Sequence, residues 1–178
     1  MSFLAAIHRE TENQQLRFLV IGGLAVNHYG YARETGDFDM LVNRDDRARW
    51  LELFAGLGYA IHHDGGNFIQ FSSPPESAWP VDLMLVREAS FEPMFQAGKE
   101  VNLYGALVRV IALEHLLALK LHALKNARVH RFLKDFLDVE NLIRINQLDI
   151  QSPNLRDLFL KYGTLDLHEK MSRSLAAE

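Results

Sequence analysis

The sequence predicts an α/β fold of the α+β kind, with a mixed sheet flanked by helices and a C-terminal helical section. Three observations carry this. Short apolar runs bounded by glycine turns dominate the first part of the chain, helical spacing takes over from Leu113, and 48% of the 178 residues are hydrophobic, enough to build a core. The length suits one compact domain with a helical appendage. The expected division is an α/β core over 1–110 and a helical section over 111–178 packed on it.

The elements follow in order. Leu4 to Leu16 predicts a helix. Phe18-Leu19-Val20-Ile21 is a buried strand closed by Gly22-Gly23, and Leu24 to Tyr29 a short helix ended by Gly30. Asp39 to Val42 is a second strand. Asp45 to Leu57 carries Trp50, Leu51, Leu53, Phe54 and Leu57 at helical spacing, with Asp45 as N-cap and Gly58 as stop. Tyr59 to His63 and Asn67 to Ser72 flank the hairpin signal Asp64-Gly65-Gly66. After a loop over Ser73 to Pro80, Val81 to Val86 is a strand, Phe91 to Phe95 a short helix, and Lys99 to Val108 a strand pair around Gly105. Leu113 to Ile145 reads as two helices broken at Asn126 to His130, and Pro153 starts the last helix, through Leu158 to Tyr162.

Bulk properties narrow the function classes. The formal net charge of −4 gives no global attraction to nucleic acid. With no cysteine, disulfide frameworks and thiolate metal sites are excluded. The N-terminal apolar run is too short for a signal peptide and no basic region precedes it. No apolar stretch reaches the ~20 residues of a membrane span. The densest, Val108 to Leu124, is interrupted by Arg109, Glu114, His115, Lys120 and His122. These features predict a soluble cytoplasmic protein without a membrane partner.

Chemistry concentrates in Ile21-Gly22-Gly23, Arg33-Glu34-Thr35-Gly36 and Asp37-Phe38-Asp39-Met40-Leu41-Val42. Adjacent glycines after a strand allow close approach of backbone to a ligand, and a helix starting there favours phosphate. Asp37 and Asp39 are two apart on a strand, so their side chains point the same way and Phe38 points into the core. Parallel carboxylates repel, and a site that keeps them calls for a cation; all-oxygen ligands suit Mg²⁺ or Mn²⁺. Asp82 is a charge within the apolar strand Val81 to Val86, where an unpaired carboxylate is costly, so a metal or basic partner is expected.

These residues resemble the nucleotidyltransferase superfamily that includes polymerase beta and the minimal nucleotidyltransferases. Ile21, Gly22 and Gly23 match its apolar-Gly-Gly/Ser element, Asp37 and Asp39 its acidic pair, and Asp82 its third acidic residue. The run from Gly22 to Gly30 before Arg33, Thr35, Asp37 and Asp39 is similar to the abortive-infection toxin type, as is Lys120 followed by Lys134-Asp135-Phe136-Leu137-Asp138. The resemblance spans roughly residues 18–142. It implies the nucleotidyltransferase fold, with Asp37, Asp39 and Asp82 as catalytic ligands of up to two metals ~3.5–4 Å apart. It implies nucleotide binding at Gly22, Gly23, Arg33, Thr35 and Lys120, with Arg33 as a bidentate phosphate donor and Lys120 neutralising the triphosphate. The reaction implied is transfer of a nucleoside monophosphate from a nucleoside triphosphate to a hydroxyl of RNA, protein or a small molecule. Gly23 stands where a Ser is also found, so no hydroxyl is available there.

Plainer readings stand beside these. Arg33 pairs with Glu34 or Asp37; Lys120 snorkels at a helix edge; Lys134 and Asp138 form an i,i+4 pair, with Asp135 and Asp138 structural. Arg128, His130, Arg131 and Lys134 form a basic cluster on a solvated helix face. His62 and His63 point to opposite faces of a strand, and His115 and His122 lie seven apart, so neither pair has zinc-site spacing. The rival functions are a binding module of a toxin–antitoxin-like pair, working through a cognate protein partner, and a nucleotide sensor without turnover.

Overall fold

The computed structural model describes residues 3–74, 79–126 and 129–177. The expected loop from Ser73 to Pro80 falls partly on residues 75–78, and the expected helix break partly on residues 127 and 128, which lie outside the described residues; so does Arg128 of the basic cluster. The chain forms two compact units, Met1–Ala25 with Glu34–Ala112, and Val26–Arg33 with Leu113–Glu178. Helix α2 (Gly22–His28) is divided between them.

The first unit contains α1 (Phe3–Asn13), β1 (Phe18–Val20), β2 (Phe38–Asn43), α3 (Arg47–Gly56), β3 (Ala60–Asp64), β4 (Phe68–Ser72), β5 (Val81–Val86), α4 (Glu88–Ala97), β6 (Lys99–Leu103) and β7 (Ala106–Val110). Among the described residues seven strands make one mixed sheet in the order β3-β4-β5-β2-β1-β7-β6. β2 pairs with β5, and β1 with β7, in parallel; the other pairs are antiparallel. Pairing registers divide the sheet into two faces. Phe38, Met40 and Val42 lie beside Val81, Leu83 and Leu85, and these in turn beside Ile69 and Phe71. All eight are buried, as period-two alternation requires for a core face. Helix α3 supplies Trp50 and Phe54, stacked on each other, with Phe18 edge-on to Trp50 and Phe71 against Phe54. The opposite face carries Asp39, Asp82 and Gln70.

Several expectations are corrected locally. Asp45 does not cap the helix: the Asn43 side chain accepts from the Asp45 N–H at 3.1 Å and opens a 3₁₀ turn, Arg44–Asp46, before α3 begins at Arg47. An Asx turn at the strand end thus takes the capping role. The helix expected at Phe91 to Phe95 runs from Glu88 to Ala97. The β6–β7 turn is made by Tyr104 and Gly105, both at positive φ (49° and 82°), the geometry of a two-residue type I′ hairpin.

The second unit holds α5 (Leu113–Lys125), α6 (Val129–Ile145), α7 (Pro153–Tyr162) and α8 (Leu165–Ala176). The Pro153 helix is therefore not the last. Thr164 accepts from the Leu167 N–H at 3.1 Å and caps α8, which buries Leu167, His168 and Met171. The unit's apolar core includes Leu117, Leu121, Val139, Leu142, Phe159 and Met171. Asn27 closes the 27–33 loop by bonding both the N–H and C=O of Arg33 at 3.0 Å.

A buried ion cluster ties this unit together. The Arg33 guanidinium donates to both Asp138 oxygens, at 2.6 and 2.8 Å. Lys120 Nζ lies 2.7 Å from both Asp135 and Asp138. Asp135 and Asp138 are almost wholly buried. Lys120 is buried too, not snorkelling, and Arg33 pairs with Asp138. Burial alone would raise the Asp138 carboxyl, but the hydrogen bond from Arg33 and the Lys120 charge outweigh it and hold its pKa below the ordinary value. Because the folded value is depressed, this stabilisation is complete above the unfolded pKa of about 3.9 and disappears as pH falls through the folded one.

Lys120→Met leaves two buried carboxylates short of a cation and is expected to cost about 3–5 kcal/mol in urea unfolding. In acid titrations followed by circular dichroism, the wild type should lose stability below the ordinary carboxylate range. Asp138→Asn, already weaker at neutral pH, should show a shallower acid limb.

Candidate active site

Three carboxylates converge on the sheet face opposite Phe38 and Met40 in the first unit. Asp39 on β2 stands beside Asp82 on the parallel strand β5. Asp37 immediately precedes β2 and projects the same way as Asp39, while Phe38 between them is fully buried. One ligand oxygen from each of Asp37, Asp39 and Asp82 lies within 4.8 Å of the others. No histidine belongs to this group.

Each carboxylate has a neutral donor. Thr35 Oγ1 donates to Asp37 Oδ1 at 2.9 Å. The Gly23 N–H points at Asp39 Oδ2 at 3.4 Å. Gln70 Nε2 lies 3.2 Å from both oxygens of Asp82, on the adjacent antiparallel strand β4. Gln70 is a site residue that sequence reasoning missed. Its signal was a polar residue between Ile69 and Phe71, but only the β4–β5 register places it opposite Asp82.

Gly22 has a definite steric reason. Its φ is +60°, and an added Cβ would overlap the Asp39 carboxylate. The space a side chain would fill is taken by Asp39, so the glycine serves the carboxylate as well as any ligand that approaches the backbone.

The structure thus gathers Gly22, Gly23, Thr35, Asp37, Asp39 and Asp82 within one unit. Arg33 and Lys120 belong to the second unit, where their partners are Asp135 and Asp138. The donor set at the carboxylates is all oxygen and closely spaced, which fits Mg²⁺ or Mn²⁺ and not a thiolate- or imidazole-seeking metal.

Gly22→Ala is expected to destabilise the protein by about 1–3 kcal/mol through backbone strain and displacement of Asp39. Differential scanning calorimetry would check this. A melting temperature equal to wild type would show that the Gly22–Asp39 contact is not rigid.

The family model described as uncharacterised nucleotidyltransferase matches residues 2–171. Similar solved structures include an antigenic nucleotidyltransferase-like protein from Paracoccidioides brasiliensis, 16% identical, covering 97% of this chain and 89% of that one with a TM-score of 0.57. ANT(2'')-Ia in complex with adenylyl-2''-tobramycin is 13% identical, covering 96% and 95% at a TM-score of 0.65. The lincosamide antibiotic adenylyltransferase LnuA, lincomycin-bound, is 17% identical, covering 80% and 95% at 0.57. At these identities the likeness is one of fold. No curated protein matches the sequence. Nearly the whole chain falls under the family model, so the protein belongs to this nucleotidyltransferase family and is a nucleotidyltransferase enzyme.

Proposed function

We propose that the protein moves a nucleoside monophosphate from a nucleoside triphosphate to a hydroxyl acceptor and releases pyrophosphate, with Asp37, Asp39 and Asp82 holding divalent metal. The observation that carries this reading is the convergence of the three carboxylates within 4.8 Å of one another. Such an arrangement adds nothing to the apolar core and costs mutual repulsion unless a cation is held. A bound Mg²⁺ or Mn²⁺ would supply charge neutralisation and Lewis acidity toward the triphosphate.

The chain's own residues do the rest. Thr35 orients Asp37, and the Gly23 N–H orients Asp39, so both carboxylates are fixed before substrate arrives. The Gly22 and Gly23 backbone lies against Asp39, and the triphosphate would approach along it. Asp82, held by Gln70, takes the acceptor proton as the hydroxyl oxygen attacks the α-phosphorus. A new P–O bond forms, the bond from the α-phosphorus to its bridging oxygen breaks, and pyrophosphate departs with the electron pair.

In this reading Arg33 and Lys120 act through the fold of the second unit, consistent with the buried aspartates they bind. Any role toward phosphate is secondary to that. ATP is the first nucleotide to try, because two of the similar structures are of ANT(2'')-Ia with an adenylylated product and a lincosamide adenylyltransferase. A cytoplasmic location fits the need for nucleoside triphosphates. The kinship with abortive-infection toxins rests on the sequence run alone. A binding module or sensor would keep the fold but has no use for a third carboxylate aligned with the other two.

The test is transfer of label from α-labelled ATP, with Mg²⁺ or Mn²⁺, to total RNA, protein extract or a hydroxylated small-molecule pool. Asp39→Asn and Asp82→Asn are each expected to lower transfer by at least about a hundredfold. Chelation of divalent ions by EDTA should abolish it, and added Mg²⁺ restore it. Transfer that survives both aspartate variants would sink the mechanism.

A further inference from the structure

Resting on that reading, we propose that the cleft lined by His62, Gln70, Ser72, Ser73 and Asp82 is the acceptor subsite, and that it takes a non-phosphorylated, polyhydroxylated small molecule. The cleft has a volume of about 270 Å³, with Phe71 and Pro80 completing its walls. It lies within the first unit, on the side of Asp82 away from Asp39.

The order of the strands makes the assignment. From β1 outward the sheet runs β2, β5, β4, β3. Those strands carry, in turn, the Gly22–Gly23 turn, Asp39, Asp82, Gln70 and His62. In-line displacement requires the incoming oxygen to approach opposite the departing one. With the triphosphate on the Gly22–Gly23 side of the carboxylates, the acceptor must come over β4 and β3. The cleft is there, and Asp82 is the carboxylate that reaches it.

A local irregularity shapes the cleft. β3 and β4 pair Ile61 with Phe71 but His63 with Gln70, leaving His62 as the extra residue of a bulge. Bulges re-aim side chains beside functional sites. The regular pairing is interrupted at this point. His62 lines the cleft with Asp82, while the His63 ring lies near the hairpin turn at Gly65.

The lining chemistry defines the ligand. Gln70, Ser72, Ser73 and His62 offer hydrogen-bond donors and acceptors suited to hydroxyl groups. None of the lining residues is Lys or Arg, and the carboxylate among them is Asp82. A polynucleotide end or a sugar phosphate would leave its phosphate unmet by any Lys or Arg of the cleft, a penalty that a metal already occupied by the triphosphate does not lift. An uncharged or amine-bearing polyol meets no such penalty. His62 and Ser72 are exposed, so the cleft opens to solvent and a free molecule can enter.

The experiment is an NMR titration of the intact protein, without nucleotide, using glucosamine, glucose 6-phosphate and a short oligoadenylate as probes. Glucosamine should shift the Gln70 side-chain amide and the His62 ring, and the two phosphorylated probes should not. Ser72→Trp, which fills the cleft, should weaken glucosamine binding at least about tenfold. The same variant should leave the Mg²⁺–ATP shifts at Gly22 and Gly23 unchanged, and these also report that it is folded. His62→Ala provides a second, smaller perturbation in the same direction. Preference for either phosphorylated probe, or glucosamine shifts indifferent to Ser72→Trp, would overturn the subsite alone. Absence of Mg²⁺–ATP shifts in the wild type would overturn the transferase reading and the acceptor role with it.

Discussion

The parallel pairing of β2 with β5 is the constraint on which the site depends. It brings Asp39 level with Asp82 although they lie 43 positions apart in sequence, and it does so through the apolar partners Phe38, Met40, Val81 and Leu83 on the opposite face. A slip of one residue would carry both aspartates into the core and expose their neighbours. The energy that holds the carboxylates together thus comes from hydrophobic burial behind them. Their mutual repulsion is small beside the cost of exposing that face, so the site is formed ahead of any cation.

The second unit solves a different electrostatic problem. Arg33, Lys120, Asp135 and Asp138 are drawn from a loop and two helices, and each buried charge has an opposite one within hydrogen-bonding distance. Such a cluster contributes less net stability than well-packed leucines would. Its effect is specificity of arrangement: the segment from Val26 to Arg33 can seat itself in one way only if Arg33 is to reach both oxygens of Asp138. In the second unit the buried carboxylates are neutralised by side chains, whereas in the first the three converging carboxylates are held by the neutral donors Thr35, Gly23 and Gln70.

Much of this was legible in the chain. The Gly-Gly turn, the aspartate pair and the lone charge in Val81 to Val86 each state a local conflict with ordinary folding rules, and the fold brings the three carboxylates together with the glycine backbone against Asp39. The hairpin at Asp64 to Gly66 was equally plain, because turn chemistry is local. Gln70 and the bulge at His62 were not legible, since both depend on strand register, which no single segment specifies. The pairing of Arg33 with Asp138 spans 105 residues and could not be read from either neighbourhood. Helix α8 was overlooked although Thr164 and the spacing of Leu167, His168 and Met171 announce it; the polar residues between them hid a narrow apolar stripe.

The interlock of Gly22 with Asp39 bears on how such a chain changes over generations. With Asp39 in place, position 22 admits no side chain, because the carboxylate already fills that space. Replacement of Asp39 by a smaller residue would vacate it, leaving only the conformational preference at φ +60° to favour glycine. The two positions must therefore drift in a fixed order, the aspartate first and the glycine afterwards. A descendant that has abandoned its chemistry would carry that history in its sequence: a lost aspartate beside a retained glycine marks an early stage, and loss of both a late one.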